Sequence, residues 1–272
     1  MMNIESPQIL LTNDDGINSP GLWAAAKALS SLGYVTVAAP REQHSGAGRS
    51  LSNYSDRAIK PTTLKIGDQE WTCYAIGGSP AQSVQLGLHA VLRRKPDLVV
   101  SGINYGENPS TDISMSGTVG AALEAAAHGI PALAASLELE NEEWFSYSNT
   151  VDFSTAAEFT RRVAKWILEN KLPEDVNLLN LNVPARATAE TPFRVTRLSR
   201  HRYFEPQLKE IPGKAPDIDS KICVYADDPS DVESDVHALR VDKVVSITPL
   251  SLDFTSRVDL GEMQRSLGDL NR

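Results

Sequence analysis

The 272-residue chain lacks many of the usual signposts of function. It has only two cysteines, Cys73 and Cys223, far apart and outside any CxxC pair. That argues against both a disulfide framework and a thiolate metal site. No apolar run approaches the length of a membrane span. Residues 1–7 lack the basic start and apolar stretch of a secretion signal, so a reducing cytoplasm is the expected location. Cationic excess is absent too. Twenty-six Lys and Arg against 35 Asp and Glu leave a formal charge of -9, which argues against a broad nucleic-acid-binding face and a stable duplex partner. One pocket can still be cationic on such a chain, so small anions stay open as ligands. There is no HxxxH pair and no phosphate-binding loop ending in Lys-Ser or Lys-Thr. Gly46-Ala47-Gly48 begins a dinucleotide fingerprint, but Leu51 stands where its last glycine belongs. Gly77-Gly78-Ser79-Pro80-Ala81 resembles a nucleophile elbow, but it ends in alanine, and a proline after the serine suits a helix start better. The five histidines are scattered, and no internal repeat is visible.

What is present is a regular alternation of short apolar runs with helical patterns. The composition, 41% hydrophobic, is enough for a sizeable core in one large domain or one domain with an extension. Residues 8–12 read as a strand. Ser19-Pro20 reads as an N-cap with proline at the first helical position, opening a helix over 21–32 that Gly33 stops. A second strand is expected over 34–39, a loop over 40–48, and shorter strands within 50–76. Ser79-Pro80 repeats the cap signal before a helix to Leu92. A buried strand over 97–101 leads into a loop of about fifteen residues, a length that is uncommon and often functional. A small-residue helix over 117–128 is closed by Gly129. A strand over 132–136, a helix over 155–170 and a strand over 176–183 follow. This order predicts an α/β, Rossmann-like fold with a mainly parallel sheet and helices on both faces. The expected division is a catalytic domain over 1–190 and a C-terminal extension over 191–272 built from hairpins. Strands are expected there at 222–225 and 244–248, around an acidic connection over 227–235. Such an extension is more often an oligomerisation arm or active-site cover than an independent domain.

In parallel sheets, ligands bind beyond the carboxyl ends of the strands. Three polar segments follow strands here: Asn13-Asp14-Asp15-Gly16, the loop after Pro40, and the loop after Gly102. Two adjacent carboxylates repel, and a divalent cation is the simplest way to keep both ionised; the same residues also suit a plain turn before Gly16. Asp14, Asp15, Ser45 and Asn104 would supply hard oxygen ligands, suited to Mg, Mn or Ca and not to Zn. Ser116-Gly117-Thr118-Val119 opens a helix, where unpaired N–H groups and the positive dipole end favour an anion. Ser116 there is also an ordinary N-cap.

Taken together, these segments resemble the survival protein SurE family of metal-dependent nucleotidases. The matching stretches are Thr12-Asn13-Asp14-Asp15-Gly16, Ala39-Pro40 through Ser45-Gly46, Gly102 through Asn108, Ser116-Gly117-Thr118-Val119, Pro131-Ala132-Leu133-Ala134 with Ser136, Asn180 through Pro184, and Ser246 through Leu250. The resemblance spans about residues 8–255. It implies a phosphatase acting on nucleoside monophosphates at their 5′ or 3′ ends. One divalent cation per subunit, Mg or Mn, would be held by Asp14, Asp15, Ser45 and Asn104. Asn13, Asn108, Ser116, Gly117 and Thr118 would bind the phosphate. It also implies a C-terminal swapped arm that builds a homodimer or homotetramer. Three departures stand out. Met115 sits where the family usually has Tyr, and Ser79 and Gln82 replace Thr and Asp in the Gly-Thr-Pro-Ala-Asp pattern. They leave the expected metal ligands intact and bear on pocket shape and substrate preference. Asp14 and Asp15 are the expected catalytic pair, orienting or deprotonating a water, or forming an aspartyl-phosphate. Two rivals are a haloacid-dehalogenase-type phosphatase, which wants Asp-x-Asp instead of adjacent aspartates, and a non-catalytic metal-dependent nucleotide-binding protein.

Overall fold

The computed structural model describes residues 6–53, 56–139, 150–209, 217–223 and 231–268. Its centre is a nine-stranded sheet. In chain order the strands are β1 (Gln8–Thr12), β2 (Tyr34–Pro40), β3 (Ile59–Ile66), β4 (Gln69–Ile76), β5 (Leu98–Tyr105), β6 (Ala132–Leu137), β7 (Leu178–Val183), β8 (Phe193–Val195) and, after a separate pair, β11 (Val245–Leu250). Their spatial order is β3-β4-β2-β1-β5-β6-β7-β11-β8. Six of them, β4 to β7 through β2, β1, β5 and β6, run parallel. β3 and β11 are added antiparallel to β4 and β7. The chain passes from β1 outward to β2 and later returns to β5 on the other side of β1. That reversal is the topological switch point at which such sheets open a crevice.

Helices cover both faces, as the βα alternation predicts. On one face α1 (Pro20–Leu29) and α4 (Ser154–Glu169) pack Leu22, Trp23, Phe159 and Val163 against Ile9, Leu11 and Leu133. On the other, α2 (Pro80–Leu86) and α3 (Gly117–Ala127) pack Val84, Val119 and Ala122 against Leu10, Val99 and Ala134. Residues of β1 alternate between these two cores, as the period of two in a strand dictates. Among the described residues, no helix is long and apolar enough to cross a membrane.

Several local expectations need correction. α1 ends at Leu29, three residues early. Gly33 does not close it with a left-handed cap; its hydrogen faces the Pro7 carbonyl, where a Cβ would lie 2.1 Å from the oxygen. The glycine is required by close approach and not by helix termination. Ser19 occupies the N-cap position, but its side chain makes no capping bond. The helix from Pro80 gives way at Gly87 to a wider turn over Gly87–Val91. β5 runs on to Tyr105 after a register shift between Ser101 and Asn104, and a 3-10 turn fills Ser110–Ser114. The long loop is therefore largely structured.

In the C-terminal part, β9 (Phe204–Lys209) and β10 (Asp217–Cys223) form a two-stranded antiparallel sheet. β8 and β11 instead complete the main sheet, so the sheet continues past residue 190. Between them lies α5 (Asp235–Arg240), and α6 (Leu260–Ser266) follows with no buried residue. The earlier part of the acidic connection and Tyr225 lie outside the described residues.

Ser79 and Gln82, two of the departures noted in the sequence, form a reciprocal capping box. Ser79 Oγ accepts from the Gln82 N–H at 3.1 Å, and Gln82 Oε1 accepts from the Ser79 N–H at 3.0 Å. They act in helix initiation, and neither lines the pocket described next. Ser79→Ala is expected to lower stability by about 1 kcal/mol without altering substrate preference, measured by urea denaturation and by kinetics on several substrates.

Candidate active site

The crevice at the switch point holds a pocket of about 170 Å³ lined by Asp14, Ser45, Gly46, Asn104, Tyr105, Gly106, Glu107, Asn108, Asp112, Met115, Ser116 and Phe204. A larger cavity of about 650 Å³, lined in part by Arg194, Arg197 and Asp242, contains none of the expected residues. Its arginines are engaged by acidic partners, Arg194 with Asp242 at 2.6 Å and Arg197 with Glu233 at 3.3 Å.

Backbone bonds assemble the first wall. The turn after β1 is fixed by Asn13, whose Nδ2 donates to the Gly16 carbonyl at 3.0 Å. The His44 N–H donates to the Asp14 carbonyl at 2.7 Å and the Ile17 N–H to the Pro40 carbonyl at 2.7 Å. The loop after β2 is thereby laid along the Asp14 turn, which carries Ser45 to the pocket. The two aspartates diverge. Asp14, 5% exposed, accepts the Thr118 hydroxyl at 2.5 Å. Asp15 accepts the Tyr105 N–H at 3.1 Å. One carboxylate thus meets the start of α3 and the other the end of β5. Asn104 donates its amide nitrogen to the carbonyls of Tyr105 (3.2 Å) and Gly106 (2.8 Å), so Oδ1 is the atom its side chain offers to a ligand.

The start of α3 forms the second wall. Ser116 caps it, accepting from the Val119 N–H at 3.1 Å. As in any helix, the N–H groups of this first turn find no partner within the helix itself. Gly117 lets Asp14 approach closely: a Cβ there would sit 2.8 Å from Asp14 Cβ and 2.9 Å from its Oδ2. Asn108 forms the third wall. Its Nδ2 donates to Ser136 Oγ at 2.9 Å, and its backbone N–H donates to Asn182 Oδ1 at 2.8 Å. Its carbonyl accepts from Asn180 (2.8 Å) and Asn182 (3.2 Å).

Of the residues expected from sequence, the structure brings Asp14, Ser45, Asn104, Asn108 and Ser116 to one pocket surface. Asp15, Thr118 and Gly117 stand behind it, in contact with its walls. Asn13 is fully buried, with Oδ1 unpartnered, and shapes the turn. The donors are all oxygen, which suits a hard dication such as Mg or Mn. Among the described residues, no group of three or more His, Cys, Asp or Glu side chains is placed to hold a metal. A cation here would therefore rely on hydroxyl and amide oxygens beside the two carboxylates.

Sequence reasoning missed the roles of Asn180 and Asn182, although the signal was there. Two asparagines at i and i+2 share one face of an otherwise apolar, fully buried strand. It also missed Glu107, Asp112 and Phe204 as pocket residues. Glu107 is 3% exposed; its Oε1 accepts the Tyr203 hydroxyl at 2.6 Å, and its Oε2 is buried without a partner. Burial pushes its carboxyl up to about 7, against the opposing Tyr203 bond and with nearby Glu138 adding to the rise and Arg240 reducing it. The folded state therefore holds this proton more tightly than the unfolded chain. The associated stability is complete below the ordinary carboxylate range and is lost as pH rises through about 7. Glu107→Gln is expected to remove on the order of 3 kcal/mol of pH-dependent stability between about pH 5 and pH 8, read as a flatter slope in urea denaturation across that window. Asp235, raised by burial to about 6, keeps a smaller slope of the same sign in the variant.

A doubly covered, mainly parallel sheet whose switch point holds paired acids beside a helix start defines a Rossmann-like α/β protein with a polar site beyond the carboxyl ends of its strands. Comparison with known proteins narrows this further. The model of the family "Survival protein SurE" matches residues 9–205, and the chain belongs to the SurE family. It is 41% identical to 5′-nucleotidase SurE of Methanosarcina acetivorans, over 98% of this chain and all of that one. It is 44% identical to 5′-nucleotidase SurE of Archaeoglobus fulgidus, over 93% and 94% of the two chains. The crystal structure of the SurE protein from Aquifex aeolicus superposes with a TM-score of 0.74 at 33% identity, covering 98% of this chain and all of that one.

Proposed function

We propose that this protein is a phosphoric monoester hydrolase that releases inorganic phosphate from nucleoside 5′-monophosphates with the help of one divalent cation, Mg or Mn. The observation that carries the proposal is the meeting of Asp14 with Ser45, Asn104, Asn108 and Ser116 around one pocket at the switch point. Relatives named 5′-nucleotidase SurE, matched over nearly the whole chain, support the substrate class.

In this reading Asp14, Asp15, Ser45 and Asn104 hold the cation. Bound there, a dication supplies Lewis-acid stabilisation of the phosphoryl oxygens, worth several kcal/mol. The α3 start receives the remaining phosphoryl oxygens through the Ser116 hydroxyl and the backbone N–H groups of Gly117 and Thr118. Asn108 adds a side-chain donor whose backbone is locked by Asn180 and Asn182. One carboxylate of the Asp14–Asp15 pair orients the attacking water and takes its proton, which passes on to the departing nucleoside oxygen as its bond to phosphorus breaks. Thr118 holds Asp14 in its rotamer through the 2.5 Å bond. A phosphate-release panel over nucleoside 5′- and 3′-monophosphates, with EDTA, Mg and Mn arms, tests the proposal. Metal-restored release from 5′-monophosphates is expected. Ligand retained uncut would point to a binding protein instead, and undiminished release in EDTA would remove the cation from the account.

We further propose that 191–272 contributes an oligomerisation arm for a homodimer or homotetramer. α6 has no buried residue, and Phe254, Leu260 and Met263 are exposed, apolar surface of the kind a partner subunit covers. Sedimentation of the full chain beside chains ending after Leu252 and after Glu190 tests this: if the second keeps the subunit number of the full chain, the arm is refuted, and the first shows whether 253–272 carries the contact.

A further inference from the structure

Resting on the nucleotidase reading above, we propose that Phe204 is the platform on which the substrate's nucleobase stacks. The pocket has two chemistries. Its lining mixes polar groups suited to phosphate, Asp14, Asn108 and Ser116, with two apolar side chains, Met115 and Phe204. Met115 is 53% exposed, and Phe204 is half-buried. A nucleoside monophosphate has one flat apolar part, the base. With the phosphate on the polar groups, the apolar side chains are the pocket's match for the base.

Phe204 does not reach the pocket by chance of a loose loop. Its backbone N–H donates to Asp112 Oδ2 at 2.8 Å, and that of Tyr203 donates to the same oxygen at 3.2 Å. The Tyr203 ring is buried and packs edge-on to Phe204, with centroids 4.7 Å apart and an interplanar angle of 82°. Its hydroxyl is held by Glu107 at 2.6 Å. The segment entering β9 is thus fastened to the 107–112 stretch by two backbone donors and one buried side chain. The fastening leaves Glu107 Oε2 buried without a partner, a cost in stability that is understandable if the gain lies in where Phe204 is held. A ring oriented before the ligand arrives loses little entropy on stacking.

The test uses the full chain with Mg and two uncleavable ligands, the phosphonate analogues of AMP and of ribose 5-phosphate, titrated by calorimetry. The wild type is expected to prefer the AMP analogue by roughly 5- to 150-fold, the range that base–aromatic stacking gives. Phe204→Leu is expected to erase that preference by weakening the AMP analogue alone, and Phe204→Trp to keep it. Equal weakening of both analogues, weakening of neither, or loss of preference on Tyr105→Leu but not on Phe204→Leu would overturn the assignment. If the leucine variant does not fold, the tryptophan variant decides: a lost preference there refutes the platform. Phosphate release from AMP by the wild type is scored separately, so failure of the nucleotidase reading and failure of the platform are told apart.

Discussion

Asp14→Asn is expected to cut metal-dependent phosphate release by about a thousandfold or more, the scale set by losing several kcal/mol of Lewis-acid stabilisation. The substitution is close to isosteric. Its amide oxygen can still accept the Thr118 hydroxyl, which is bonded to Asp14 Oδ1 in the native protein. The main change is charge, in a residue only 5% exposed. The effect should therefore appear in kcat and in metal affinity while the thermal midpoint moves by only a few degrees. Steady-state kinetics over a Mn titration, beside a thermal melt, read all three. Turnover within tenfold of wild type would remove Asp14 from the ligand set and from catalysis together.

Gly117→Ala is expected to lower kcat/KM by about a hundredfold, because a shift of about 1 Å in a reacting group has that scale of consequence. The helix itself should not suffer, since alanine is the better helix former by about 1 kcal/mol. The added methyl has nowhere to go but toward the Asp14 carboxylate, 2.9 Å from Oδ2, well inside van der Waals contact. Turning that side chain does not relieve the 2.8 Å contact with Asp14 Cβ, so the Asp14 turn and the start of α3 must move apart, which carries the carboxylate away from the Thr118 hydroxyl and from the residues it shares the pocket with. Kinetics paired with a melting curve distinguish this from simple destabilisation. Wild-type kcat/KM in the alanine variant would show that Asp14 tolerates displacement and has no positional role.

Much of the frame was legible in residue pattern, and the exceptions have physical causes. β1 and β6 are continuous apolar runs, and α3 carries its own cap and a closing Gly129 at φ +66°, so their limits could be read locally. Gly33 misled because close packing on Pro7 and helix termination both call for glycine. β5 ran further than expected because Gly102, Ile103, Asn104 and Tyr105 look like loop, yet the strand re-pairs with β6 after the register shift, Asn104 opposite Ser136. The antiparallel addition of β11 to β7 depends on pairing across some sixty residues of chain, which no local pattern encodes. The site divides in the same way. Paired acids, a hydroxyl, an amide and a helix start announce themselves by residue type and by following strands. Glu107 and Phe204 do not, because their significance comes from Tyr203 and Asp112, roughly ninety residues apart in sequence and joined only by folding.

The divergence of the two aspartates also bears on mechanism. Both sit in the turn after β1, yet Asp14 is tied to the start of α3 and Asp15 to the end of β5. Two adjacent carboxylates turned to different partners suit the Asp-x-Asp nucleophile and acid of the dehalogenase class poorly.

Anomalous diffraction from crystals grown with Mn addresses the shared-ion claim most directly. One peak per subunit is predicted in the switch-point pocket, with oxygens of Asp14, Asp15, Ser45 and Asn104 within about 2.6 Å, the outer range for hard-cation ligands, and it should vanish in Asp14→Asn. A peak elsewhere, or one that leaves either aspartate beyond that reach, would contradict the account.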